Sequence, residues 1–306
     1  MKRSLLIMLI VPFFWALNFV FSKYLIGFLP PFSITGGRFT VAGILFMLWI
    51  ILKKKRLPEG DPSLYLYLFV IGFSGVFAFN SILYIGLQHT SVVNATLINA
   101  FNPVATIILA VLILREKVSG PQYAGAALSI IGVFFIMSSG RLNFINRVNL
   151  GDIIIFGNTF VWAFYSVIGK KVMGKLQPLE TIAFSTLMAL PFLWLATAIE
   201  VHVYQVSSLP WTAVFLLLFL GIFASMLANI WWYEGIKDLG ASGAASFYNL
   251  IPLYSLLISW LYLNESIYSY QIIGGLMIIG GVLLSSLALS NGIPAVKSES
   301  GLGNKK

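Results

Sequence analysis

The sequence contains no cysteine and only two histidines. Without cysteine the chain forms no disulfide, holds no thiolate-bound metal and carries no cysteine nucleophile. The histidines, His89 and His202, fall in expected loops, without the spacing of a metal site. Charge is scarce as well. Asp, Glu, Lys and Arg make up 9% of the 306 residues, against about 25% in soluble domains. At 59% hydrophobic, the composition excludes a soluble fold and indicates an integral membrane protein. No Asp or Glu is expected in the middle of an apolar run, which removes the usual proton relay. The serines have no basic partner within those runs, so no catalytic constellation is expected and the chain is read as not an enzyme. No cofactor or metal is called for.

What the chain does have is apolar runs of membrane-crossing length. Ten spans are expected, at about 5–22, 32–51, 64–86, 92–114, 122–138, 153–170, 179–199, 211–233, 244–263 and 272–290, each near the ~20 residues that a helix needs to cross a bilayer. The first run follows Lys2 and Arg3, but Trp15 and Asn18 interrupt it and it lacks a small-residue cleavage site, so it reads as a retained helix. A net charge of +9 would suggest nucleic acid in a soluble protein. Here the charge follows topology. With the N-terminus inside, Lys53–Arg56 and most other basic residues fall in cytoplasmic segments. Of the 19 Lys and Arg, the outer segments hold only Lys23, Arg141 and Arg147. That is the positive-inside pattern for an even number of spans with both termini cytoplasmic. The expected partners are the lipid bilayer and a small-molecule substrate, with no nucleic acid; the sequence sets no oligomeric state.

The chain is also duplicated. An offset of 149 residues, the difference between 72 and 221, pairs Gly72 with Gly221, Asn80 with Asn229, Tyr84 with Tyr233, Pro103 with Pro252 and Glu116 with Glu265. An offset of 147 pairs Trp15 with Trp162, Lys23 with Lys170 and Pro31 with Pro178. Each copy holds five spans. Five is odd, so the second copy enters the membrane from the opposite side, as in transporters built from inverted repeats around a midplane site. The expected divisions are 1–139 for the first repeat, 140–290 for the second, and a disordered cytoplasmic tail at 291–306, rich in Ser, Gly, Asn and Lys.

Pro103 and Pro252 interrupt the fourth and ninth spans. Proline removes a helical hydrogen bond and crowds the preceding turn, so both are expected to kink their helices and expose backbone at the same depth. The polar residues in the spans then define a candidate lining. Trp15 and Asn18 share a face of the first span, and Asn158, Trp162 and Tyr165 a face of the sixth. Asn80 and Tyr84 come from the third span, Asn99 and Asn102 from the fourth, Asn229 and Trp232 from the eighth, Tyr248 and Asn249 from the ninth. Aromatic walls with amides between them suit a small amphiphilic solute. The competing reading is that these residues are helix–helix glue, since Asn, Ser and Thr commonly hydrogen-bond between helices in membranes. Arg38 lies within the second span; its long side chain can snorkel to the outer rim, and an outer-side anchor or structural role is expected ahead of a ligand for a substrate carboxylate. Glu234, at the cytoplasmic end of the eighth span, is the one acid placed for coupling; otherwise transport is facilitated or exchange-driven.

Taken together, Phe14-Trp15-Ala16-Leu17-Asn18-Phe19, Pro31 with Arg38-Phe39, Pro103, Glu116, Gly125 and Gly132, and the second set Trp162-Ala163, Pro252, Glu265, Gly274 and Gly281, resemble the EamA-type branch of the drug/metabolite transporter superfamily. The resemblance runs from Leu5 to Leu289. It implies an all-α integral membrane protein of ten transmembrane helices in two inverted five-helix repeats. The implied function is secondary transport of small metabolites, often export of amino acids or related compounds. An amino-acid-like neutral or zwitterionic solute, moved by alternating access across the cytoplasmic membrane, is the leading expectation. Another small solute (a purine, flavin or cationic drug), a passive channel and an intramembrane enzyme are the alternatives. The pattern is broken at Arg38, whose partner in the second repeat is Ser185.

Overall fold

The computed structural model describes residues 2–57, 61–114, 120–141, 149–172, 175–204, 206, 208–235 and 247–292. Its elements are helices: α1 (Lys2–Leu25), α2 (Pro31–Leu52), α3 (Pro62–His89), α4 (Val92–Asn99), α5 (Asn102–Leu114), α6 (Gly120–Met137), α7 (Leu150–Val172), α8 (Pro178–Tyr204), α9 (Trp211–Gly235), α10 (Leu250–Tyr262) and α11 (Ser269–Gly292). Eight segments are long and apolar enough to cross a membrane, the fourth of them taking α4 and α5 together; Leu250–Tyr262 and Ser269–Leu284 are shorter apolar helices. These ten segments follow the order of the expected spans, the ninth being described only from Phe247.

The polarity of the bundle is that of a protein solvated by lipid. Leu6, Ile44, Leu66, Leu195 and Leu276 face outward, whereas Asn18, Ser22, Arg38, Thr96, Asn99 and Asn102 are buried. Without water to hydrogen-bond them, polar side chains find partners inside. The packing repeats with the copies exchanged: α1 lies on α10 as α7 lies on α5, and α3 on α8 as α9 on α2. The helices α2 and α8 pack on each other, as do α6 and α11. Where the copies meet, matched residues touch directly. The Trp15 and Trp162 rings are 6.2 Å apart, Asn99 Nδ2 donates to the Tyr248 hydroxyl at 2.9 Å, and Ser129 Oγ donates to the Ile278 carbonyl at 3.1 Å.

The proline-centred spans are broken rather than bent. The fourth stops at Asn99, turns at Ala100 and Phe101, and restarts as α5 with Pro103 in its second position. There the missing N–H costs little, because the first helical N–H groups have no intrahelical partner. In the second copy Phe247 and Tyr248 are helical, Asn249 is a turn and α10 follows, with Pro252 in its first turn. Glu116 lies outside the described residues, as does the expected tail beyond Gly292; Asn291 and Gly292, counted with that tail, end α11.

A second matched irregularity lies in the third and eighth spans. Within α3, Gly72–Ala78 is π-helical, and within α9 so is Leu220–Leu227. The wider turn lets a backbone come close. A Cβ on Gly72 would run into the Ser185 carbonyl of α8, and one on Gly221 would stand 2.7 Å from the Arg38 carbonyl of α2. The widened turns leave carbonyls to satisfy, and matched asparagines do so: Asn80 Nδ2 bonds the Gly75 carbonyl at 2.8 Å and Asn229 Nδ2 the Ser225 carbonyl at 2.8 Å.

The two copies are tied at both ends. At one end Glu200 of α8 accepts from the Phe32 and Ser33 amides that open α2, at 3.1 and 2.7 Å. Glu265 accepts likewise from Val92 and Val93 at the start of α4, at 3.0 and 3.2 Å. A carboxylate at a helix N-terminus meets orphan N–H groups and the positive end of the dipole. Asp152 belongs to the first turn of α7 rather than to a loop, is buried, and bonds Thr90 Oγ1 and Asn94 Nδ2. The opposite end carries the ion pairs Lys55–Glu180 (2.7 Å) and Lys175–Asp61 (2.6 Å).

Asp61 makes one of these ties testable. The Lys175 ammonium, with Ser63 and the Leu64 amide, holds its carboxyl down to about 2. A carboxyl depressed in the folded state contributes stability that is fully present above its ordinary value near ~4 and is lost as pH falls through the folded value. Lys175→Ala should therefore bring the acid loss of stability to higher pH, by a small amount because the pair is exposed. Thermal unfolding of both proteins between pH 5 and pH 2 reads this (the approximate window set by those pKa values), and identical profiles would remove the tether's contribution.

Candidate transport site

A cavity of about 60 Å³ lies among the helices of both copies, lined by residues of α1, α2, α3, α4, α7, α8, α9 and α10 together with Tyr248. It has room for only a handful of water molecules, so a larger solute enters only as the lining rearranges. Of the side chains expected to line a path, Trp15, Asn18, Asn80, Asn99, Trp162, Tyr165, Asn229 and Tyr248 line it. Tyr84, Asn102, Asn158, Trp232 and Asn249 stand behind that layer.

The aromatic residues converge on one ring. Trp15 meets Trp232 at 5.1 Å, Tyr248 at 5.7 Å and Trp162 at 6.2 Å between centroids. Trp162 extends the group to Phe79 (4.8 Å) and Tyr165 (5.2 Å). The backbone turn at Asn249 is next to Tyr248, whose hydroxyl accepts from Asn99 Nδ2 at 2.9 Å and Asn102 Nδ2 at 2.7 Å. The two broken helices are thus joined, one copy to the other, beneath the aromatic cluster. Asn158 Nδ2 donates to the Phe79 carbonyl at 2.9 Å, next to the π-helical segment of α3. The Oδ1 atoms of Asn102, Asn158 and Asn249 are buried without a hydrogen-bond partner among the described residues.

Arg38 does not snorkel to the outer side. Its side chain is 2% exposed and lines the cavity instead of reaching the rim. Nε donates to Ser225 Oγ at 2.8 Å, and Nη1 donates to Asn18 Oδ1 and the Tyr84 hydroxyl. The guanidinium carbon stands 5.1 Å from the Phe39 ring centre and 5.8 Å from that of Tyr84. Three neutral acceptors and two ring faces draw it inward, contacts that a guanidinium at the rim would forgo. The lining therefore carries one cation. The second and seventh spans, absent from the expected lining, supply Arg38, Phe39, Ser185 and Thr186. The signal that was available is the pairing of Arg38 with Ser185 by the repeat, a charge placed in one copy only.

The copies build one contact from different groups. Asn18 and Tyr165 are matched by the repeat, as are Tyr84 and Tyr233. In the first copy Tyr84 donates to Asn18 Oδ1 at 2.8 Å; in the second the Tyr165 and Tyr233 hydroxyls bond each other at 2.9 Å. Among the described residues, only the first pair bonds an arginine.

An apolar exterior, two packed helical repeats and a polar, aromatic cavity where they join define a multi-pass membrane transporter. The chain belongs to the EamA-like transporter family, whose model matches twice, at residues 2–138 and 149–287. It is 31% identical over 282 residues to the uncharacterized transporter YyaM of Bacillus subtilis (strain 168), covering 89% of this chain and 90% of that protein. An uncharacterized transporter of Archaeoglobus fulgidus is 28% identical over 286 residues, covering 93% and 98%. A solved crystal structure of a protein 19% identical aligns with a TM-score of 0.65 over 93% of this chain and 98% of the other, and shares the fold.

Proposed function

We propose that the protein is a secondary transporter that exports a small neutral or zwitterionic organic metabolite, amino-acid-like, across the cytoplasmic membrane by alternating access. The observation that carries this reading is the small cavity at the junction of the two repeats, lined from both and flanked by the two broken helices. In repeat-built transporters the site lies between the copies and rocking of one against the other exposes it to each side in turn. The recurrence of helix contacts with the copies exchanged supports two copies inverted about an axis through that junction. On this reading the Glu200, Glu265 and Asp152 contacts close the outer end and the Lys55 and Lys175 ion pairs close the cytoplasmic end.

Counterflow in proteoliposomes against amino acids, purines, flavins and cationic drugs tests the reading. Saturable exchange of a neutral or zwitterionic solute is the expected result. Non-saturating flux would indicate a channel, and stabilisation only by phosphorylated compounds would overturn the substrate class. Glu234→Gln separates coupling from exchange: strong proton coupling that survives this change would exclude Glu234 as the coupling group.

Orientation has its own test. The chain has no native cysteine, so single cysteines report cleanly. With both termini cytoplasmic, an impermeant maleimide added to intact cells should label Arg141→Cys and leave Lys53→Cys unlabelled until the cells are opened. The reverse pattern would invert the topology.

A further inference from the structure

We propose that Arg38 is the receptor for a carboxylate on the transported solute, so that the substrate is a small zwitterion with a single carboxylate. This rests on the transporter reading above and narrows it. Arg38 is buried, and among the described residues it forms no salt bridge. The groups that hold it are neutral: Ser225 from α9, Asn18 from α1 and Tyr84 from α3. The two hydroxyl hydrogens are already used, Ser225 Oγ donating to the Leu220 carbonyl at 3.1 Å and the Tyr84 hydroxyl to Asn18 Oδ1 at 2.8 Å. The guanidinium plane is thereby fixed through Nε and Nη1. Nη2, with two N–H groups, bonds no described residue. Two deficits coincide at the cavity: a positive charge without a counter-ion and a pair of donors without an acceptor. One carboxylate oxygen pair supplies both, with charge-assisted bonds about twice as strong as neutral ones.

The rest of the cavity selects what is attached to that carboxylate. Trp15 precedes Asn18 by three residues on α1, about 4.5 Å of rise, and its ring joins those of Trp162, Trp232 and Tyr248. A ligand ammonium or apolar group one helical turn from the guanidinium meets these ring faces, where a cation gains from the ring quadrupole. A phosphate ester carries nearly two negative charges, and the single cation of the lining leaves one of them unmatched. The charge belongs to one copy only, because Ser185 stands where the repeat would place a second arginine. The solute therefore binds in one orientation, carboxylate towards the α1–α2–α3 side.

Full-length protein in proteoliposomes is assayed by counterflow with three matched series: α-amino acids, their α-amino amides, and the amines without a carboxyl group. The purines, flavins and cationic drugs above are run alongside. The wild type should exchange one or more amino acids at least tenfold faster than the matching amides and amines. Arg38→Gln should lose tenfold or more of that exchange, together with the thermal stabilisation the amino acid gives, and Arg38→Lys should retain part. If Arg38→Gln is not monodisperse, the comparison of acid with amide on the wild type decides. Amides or amines exchanged as fast as acids would overturn the carboxylate assignment and leave the transporter reading standing. So would undiminished amino-acid exchange by monodisperse Arg38→Gln, or thermal stabilisation of the wild type by chloride alone in a gluconate background. No exchange of any solute would overturn the transporter reading itself.

Discussion

Tyr248→Phe is expected to destabilise the protein by about 1–3 kcal/mol, a large effect for the loss of one oxygen atom. The hydroxyl accepts from Asn99 and Asn102 at 2.9 and 2.7 Å. Asn102 keeps a second bond, to Asn99 Oδ1 at 2.9 Å, whereas Asn99 Nδ2 is left with no partner among the described residues. A buried donor stripped of its acceptor bears its full desolvation cost, while removal of both partners is far cheaper. Asn99→Leu combined with Tyr248→Phe should therefore be less destabilised than the two single changes added together. Thermal unfolding of the single and double variants forms the cycle, and strict additivity would show that the network contributes nothing. The same geometry sharpens the expectation for the asparagines. Asn99→Ala opens the cavity wall and should shift substrate preference. Asn102, behind that wall, should act mainly on the strength of the joint.

Gly72→Val is expected to cost about 3 kcal/mol or more, at or beyond the upper end of overpacking effects. A Cβ there collides with the Ser185 carbonyl, and backbone on a packed helix has nowhere to move. Gly221→Val, the repeat-matched change, should be severe as well, since its Cβ would lie 2.6 Å from Val41 Cβ and 2.7 Å from the Arg38 carbonyl. It also presses on the segment that carries the arginine, so it should impair transport more than its stability loss explains. Gly157→Ala is the control. No atom outside its own helix lies within 4 Å of the added Cβ, and alanine is the better helix former. Yield and thermal unfolding should rank Gly157→Ala near wild type and Gly72→Val lowest. Equal tolerance of all three would mean that the π-helical contacts are loose.

Much of this is legible in the sequence. Mean composition and run length define the membrane class, because burying so many apolar residues in water-soluble form is impossible at 9% charge. Duplicated residues at fixed offsets define the two repeats, and the paired prolines mark where helices break. The structure adds that the break is complete, with α4 and α5 as separate helices.

The candidate site was legible in part. Helical periodicity says which residues share a face, and Trp15 with Asn18, or Trp162 with Tyr165, did arrive at the cavity. Periodicity does not say which helix that face meets. Asn80 and Asn229 look like ligand-binding amides in sequence, yet each donates to carbonyls freed by a π-helical turn. Nothing local in Gly72–Ala78 distinguishes that turn from an ordinary one; the close approach of α8 exploits it.

By itself, then, the sequence determined the solvent, the approximate number of spans and the presence of two repeats, since these depend on hydrophobic length and on repetition along the chain. Tertiary structure alone decided the fate of Arg38. An arginine some 10 Å from a helix end has the reach to snorkel, and the second span read in isolation offers no reason against it. Ser225, Asn18 and Tyr84, from three other helices, turn it inward. Where a side chain's free energy is set by partners distant in sequence, only the packing of those partners chooses between the two directions.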